Sequence, residues 1–216
     1  MSMSYLDVSN LGFLIIIISL VGYLSNWLNV CWLNFRITQW LYFLGAFIHE
    51  LSHAILCILT GAKIVEFKVF SRQPHVSHLS SRLPLIGQLL ISIAPIFGGL
   101  FFLYAINYYL LQNYFVLAVP QDIWQVLAMP VGLFYQFNFL QWQTWLFLIL
   151  MINSGAMIGL SWQDLKNFWP LLLIGLFVNA PFVTPYLFLA ISLLVCNVIL
   201  QLMLILIIKL ILLFRR

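Results

Sequence analysis

The chain has 216 residues, 64% of them hydrophobic and 6% charged, with a mean hydropathy of +1.10. These values exclude a water-soluble globular protein and leave a single polytopic membrane domain over residues 1–216, with no room for a soluble partner domain. The net charge of +4 comes from nine basic residues spread along the chain and clustered only at the edges of apolar runs, which excludes a nucleic-acid-binding surface.

Met1 to Asn10 lacks a basic n-region, and the apolar run that follows is long enough to stay in the bilayer, so no cleavable signal peptide is expected. The first span is predicted over Leu11 to Leu33, with Trp27 and Trp32 near its far end. A linker with Arg36 leads to a second span, Thr38 to Gly61, which Gly61 closes as a helix C-cap. Over Ala62 to Phe70 the pattern changes period: Val65, Phe67 and Val69 alternate with Glu66 and Lys68, which predicts a short strand. Ser71 to Pro84 reads as a polar, basic loop holding His75 and His78.

The third span, Leu85 to Leu111, contains Ala94-Pro95 and Gly98-Gly99, which predict a kink and close helix contact in the bundle interior. Gln112 to Gln143 has no basic residue and one acid, Asp122, and is expected to lie at the bilayer interface. The fourth span, Thr144 to Leu160, ends in Ser161-Trp162-Gln163-Asp164. A short fifth, Leu165 to Ala180, is interrupted by Pro170, and a long sixth, Phe182 to Phe214, ends in Arg215-Arg216. The expected fold is an all-α polytopic membrane protein of about six transmembrane helices, with a short β element after the second.

Six spans put Lys63, Lys68, Arg72, Arg82, Lys166, Lys209, Arg215 and Arg216 on one side and only Arg36 on the other. The positive-inside rule then predicts a multi-pass protein with both termini in the cytosol. Cys31, Cys57 and Cys196 all lie in apolar segments without short pair spacing and read as small hydrophobes.

The chemistry concentrates in His49-Glu50-Leu51-Ser52-His53, an HExxH pattern inside the second span. At i and i+4 both imidazoles lie on one helix face and can share a metal ion, with Glu50 placed beside the first as general base. Each ionisable side chain at membrane depth costs about 2.5–3.5 kcal/mol on insertion scales, and a bound cation offsets that cost. A catalytic zinc takes three protein ligands, and the chain has only five acids from which to choose the third. Asp7 precedes the first span, Asp122 lies on the opposite face, and Glu66 belongs to the strand beside Lys68. Elimination leaves Asp164, which reaches the depth of the histidines if the chain unwinds there. The competing reading makes Asp164 a helix N-cap or a boundary charge paired with Lys166. His75 and His78 have Arg72 and Arg82 as neighbours, which disfavours a cation, and read as surface or lid histidines.

HELSH on the second span, a strand after it, Ala94-Pro95 with Gly98-Gly99 on the third, and Ser161-x-x-Asp164 after the fourth resemble the site-2 protease family of intramembrane zinc metallopeptidases. The likeness covers about residues 38–168 and is closest to the small bacterial-type members, which implies a bacterial cell membrane. It implies zinc held by His49, His53 and Asp164, with Glu50 as general base and acid, and hydrolysis of a peptide bond in or next to a transmembrane segment near the cytosolic side. Leu160 stands where the small members carry proline. The Asn-x-x-Pro-x-Pro-x-Leu-Asp pattern of other members is absent, which leaves the oxyanion-stabilising group unassigned; Asn153 stands at a different offset. The partners implied are the lipid bilayer and a transmembrane protein or peptide substrate. That substrate must unwind before attack, and the strand, through Ile64, Val65, Glu66 and Phe67, offers an edge on which it can add.

Rival membrane chemistries fit less well. Asn153-Ser154-Gly155 evokes a rhomboid-type serine protease, but no histidine follows residue 78 to serve as base. A di-iron desaturase needs about eight histidines, and the chain has four. A membrane zinc-binding or transport protein without proteolytic activity would keep the histidines and aspartate but has no need of Glu50.

Overall fold

A computed structural model describes residues 10–32, 36–69, 74–83 and 86–214 of the chain. Asp7, Arg72, Arg215 and Arg216, which entered the arguments above, lie outside the described residues. The apolar runs fold as helices because lipid offers backbone groups no hydrogen-bond partner outside the segment itself. In chain order these are α1 (Leu11–Trp32), α2 (Arg36–Leu59), the strands β1 (Ile64–Lys68) and β2 (His75–His78), α3 (Ile86–Ala105), a π-helical turn (Ile106–Leu110), α4 (Ile123–Tyr135), α5 (Trp142–Ile158), α6 (Trp162–Gly175) and α7 (Thr184–Phe214). Among the described residues five helices are long and apolar enough to cross a membrane: Leu11–Trp32, Tyr42–Leu59, Ile86–Leu110, Trp142–Asn167 and Thr184–Ile211. The protein is an all-α polytopic membrane protein with a small two-stranded sheet.

The expected fifth span proves to be the 14-residue α6, which continues α5 rather than adding a crossing. Gly22 of α1 packs on the backbone of Gly159, at the break between the two helices, and Gly12 packs on Leu172, Gly175 and Leu176. The α5–α6 pair thus descends alongside α1 toward its start, where Asn10 Nδ2 donates to the Leu176 carbonyl. A side chain on Gly22 would collide with Gly159, so this approach requires glycine.

Helices α1 and α7 are packed together and run parallel. The Leu11 N–H donates to the Val178 carbonyl just before α7, Ser25 donates to Asn197 at 2.7 Å, and Lys209 lies over the Trp32 ring at 3.9 Å. Asn10 and Phe214 therefore lie at opposite ends of the bundle, whereas six spans would put these two residues at the same end. Lys209 shares the Arg36 end, so the eight-to-one division of basic residues no longer holds. The physical reason is that α6 prolongs α5 and adds no crossing.

The hairpin closes the Leu59 end of α2. The Gly61 N–H donates to the Ile58 carbonyl at 3.2 Å and the Ala62 N–H to the Cys57 carbonyl at 2.8 Å, with Gly61 at φ +71°. That is a Schellman cap, as the glycine predicted. β1 pairs antiparallel with β2, so His75 and His78 belong to a second strand where a loop was expected. Glu66 is partly exposed and bonded to Lys68 and, at 3.2 Å, to His75; these partners hold its carboxyl below the usual range.

The segment from Gln112 to Gln143 departs most from expectation. Its α4 packs along α7, and the Val126 carbonyl accepts from Ser192 Oγ at 3.0 Å, several residues inside α7. Val126 and Leu133 are fully buried, so this helix flanks the bundle instead of lying flat at the interface. Inside the bundle, Gln201 Nε2 donates to Ser25 at 2.9 Å and to Asn29 at 2.8 Å, while Asn197 Nδ2 donates to the Met151 and Ile152 carbonyls. Such polar groups bind α1, α5 and α7 where apolar attraction between helices is weak.

Candidate metal centre

His49 and His53 follow each other by one turn on α2, and both are buried. Six residues, about 9 Å, separate His53 from the Leu59 end of the helix, so the pair lies well inside the span. Close packing of α2 on α3 covers them. A Cβ on Gly98 would lie 1.9 Å from Ser52 Oγ, so this glycine lets α3 approach the helix beside His53. Asn153 Oδ1 on α5 accepts from the Gly45 N–H at 3.1 Å, one turn before His49, and fastens the other flank.

Asp164 arrives from the break between α5 and α6. Gly159 leaves the helical path at ψ 129°, and α6 restarts at Trp162. Ser161 Oγ accepts from the Asp164 N–H at 3.2 Å, while Asp164 Oδ2 accepts from the Ser161 N–H at 2.8 Å and from its hydroxyl at 2.6 Å. This reciprocal pair is a capping box. The S-x-x-D spacing thus has a physical cause: the cap occupies Oδ2 and turns the carboxylate toward the histidines. Ser161, which elimination among the acids does not reach, carries its signal in the S-x-x-D capping-box spacing. Lys166, offered as its possible ion partner, instead lies 5.7 Å from the centre of the Trp162 ring.

His53 Nε2 is 3.2 Å from Asp164 Oδ1, His49 Nε2 is 3.6 Å from Oδ2, and the two Nε2 atoms are 3.2 Å apart. Ligands about 2.0–2.1 Å from a tetrahedral zinc stand roughly 3.3–3.4 Å from one another, and the separations of His53 Nε2 from His49 Nε2 and from Asp164 Oδ1 lie close to that value. His53 Nδ1 lies 2.7 Å from the Ile91 carbonyl. A carbonyl only accepts, so Nδ1 carries a proton, and the neutral ring in that tautomer presents an Nε2 lone pair to the cluster. Two imidazoles and a carboxylate thus converge on one point, a donor set suited to a metal cation. Among the described residues this is the one His/Cys/Asp/Glu group of three whose ligand atoms lie within 4.8 Å of one another. Glu50 is partly buried on α2 beside His49. His75 and His78 stand on the hairpin, outside this group.

A buried cluster of two histidines and one aspartate inside the helical bundle defines the class of site. The chain matches the family described as Peptidase M50B-like over residues 16–180 and belongs to it, as the resemblance to site-2 proteases implied. No match was found among curated proteins or among solved structures.

Proposed function

We propose that this protein is an intramembrane zinc endopeptidase that cleaves a peptide bond in or next to a transmembrane segment. The convergence of His49, His53 and Asp164 at membrane depth, within a chain of this peptidase family, supports the reading. When bound, zinc supplies Lewis-acid activation of water and of the scissile carbonyl. His49, His53 and Asp164 hold it, and the surrounding helices exclude bulk water from the reaction. Glu50 takes the proton of the attacking water and returns it to the leaving amine, which needs a single carboxylate within reach of both. Chelation should leave the purified protein in detergent without zinc and without cleavage of a transmembrane reporter. Adding back about one zinc per chain should restore cleavage. A chelated protein that still cleaves would overturn the proposal.

A substrate helix must expose its backbone before attack, and β1 provides the template in this reading. Among the described residues only one edge of β1 is paired, and the other runs along Ile64, Val65, Glu66 and Phe67. Ile64 also packs with Cys57, Ala62 and Ile91, and the Ile91 carbonyl is the one that faces His53, so the base of the strand adjoins the centre. Proline at strand positions whose N–H points away from β2 should slow cleavage at unchanged zinc content. Unchanged cleavage would exclude strand addition.

The hairpin end faces the cytosol in this proposal, because Lys63, Lys68, Arg72 and Arg82 fall in the single short segment between α2 and α3. The site then lies nearer the cytosolic surface. Ser77→Cys, on β2, should react with an impermeant maleimide from the cytosolic side of sealed vesicles; reaction only from the other side would reverse the orientation.

A further inference from the structure

Each carbonyl in an α-helix accepts from the N–H four residues ahead, and proline has no N–H to give. Pro95 stands inside α3. The carbonyl it leaves without a helical donor is that of Ile91, and this carbonyl faces Nδ1 of His53 at 2.7 Å. The contact is buried on all sides: Ile91 is 2% exposed, His53 7%, and Pro95 is buried as well. Two features of the chain that the sequence presents separately, the proline of α3 and the second histidine of α2, therefore meet at one oxygen.

We propose that Pro95 is a positioning residue for the metal centre. By withholding an N–H it reserves the Ile91 carbonyl for His53, which fixes the Nδ1–H tautomer and aims Nε2 at the ion. This inference rests on the metal-site reading above. An N–H at position 95 would not forbid the histidine contact, because a carbonyl has two lone pairs. It would draw the oxygen back along the axis of α3 and share its accepting power, so the imidazole would lose both its orientation and its single tautomer. A carbonyl that accepts from the far ring nitrogen of a ligating histidine acts by orienting the ring and raising its basicity. The alternative is that the proline ring acts only by bending α3 so that Gly98 can meet Ser52. The two differ in what they require: one needs the missing N–H, the other the ring.

The experiment compares Pro95→Ala with Pro95→lactic acid, installed by nonsense suppression, which replaces the amide by an ester and has neither N–H nor ring. Zinc affinity is read by chelator competition in detergent, and the His53 tautomer by imidazole 15N shifts of the zinc-free protein. Pro95→Ala should weaken zinc about 10–100-fold and populate the Nε2–H tautomer, and the lactic acid variant should restore the wild-type behaviour on both readouts. Pro95→Ala that keeps the wild-type affinity and tautomer would overturn the inference. So would a lactic acid variant that behaves like alanine, which would assign the effect to the ring. If Pro95→Ala does not fold, the lactic acid variant decides alone: wild-type affinity and tautomer support the inference, and loss of either overturns it. A wild-type protein that binds no zinc would instead refute the metal-site reading, and the tautomer measurement would still test the role of Pro95.

Discussion

Glu50→Gln should keep about one zinc per chain and lower the turnover of a transmembrane reporter by about 10²–10⁴-fold, the range that general-base catalysis supplies. Glutamine has nearly the same shape, so packing on α2 is preserved, but its amide takes no proton from water at neutral pH. The result separates the peptidase from a membrane protein that only holds or moves zinc, because His49, His53 and Asp164 serve either, whereas the base serves hydrolysis alone. Zinc content by metal analysis and initial cleavage rates on the same preparation are sufficient. Equal turnover in the variant would remove Glu50 from the mechanism, and loss of zinc would make it a ligand.

Asp164→Ala should lose its zinc. Two imidazoles on one helix leave an ion with two open positions, and the cost should exceed the roughly 10–100-fold that follows removal of a group that only hydrogen-bonds to a ligand. Ser161→Ala gives the graded comparison. It removes the hydroxyl that bonds Oδ2 at 2.6 Å and accepts the Asp164 N–H, but leaves the carboxylate in place. Zinc should bind about 10–100-fold more weakly, and losing the cap should cost roughly 0.5–2 kcal/mol of stability. Competition with a chelator of known affinity orders the three proteins as wild type, Ser161→Ala, Asp164→Ala. Asp164→Ala with wild-type affinity would remove the third ligand from the site.

What the chain determines by itself is local. Helical spacing is enough to pair His49 with His53, because i and i+4 share a face in any α-helix, and Gly61 is enough to end α2, because the left-handed cap suits glycine. Pro95 and the Gly98-Gly99 pair announce irregularity and close contact without naming the partner. Asp164 was legible by elimination, since so few acids were available, but its turn toward the histidines required the Gly159 break and the Ser161 cap to act together.

Only the tertiary structure decided how the spans run. Hydropathy marks Leu165 to Ala180 as an apolar segment, but apolarity is the same whether a helix crosses anew or prolongs its neighbour. The contacts of Gly12 with Leu172 and Leu176 and of Gly22 with Gly159 settle that α6 prolongs α5, and with it that α1 and α7 run parallel. The same holds for α4, whose scattered aromatics suit an interface and a helix flank equally until Ser192 claims the Val126 carbonyl. Residues far apart in the chain, such as Ser25 with Asn197, or Pro95 through Ile91 with His53, acquire meaning only when packing brings them within a hydrogen bond. Such pairings depend on where helices cross, and periodicity within one helix carries no information about its neighbour.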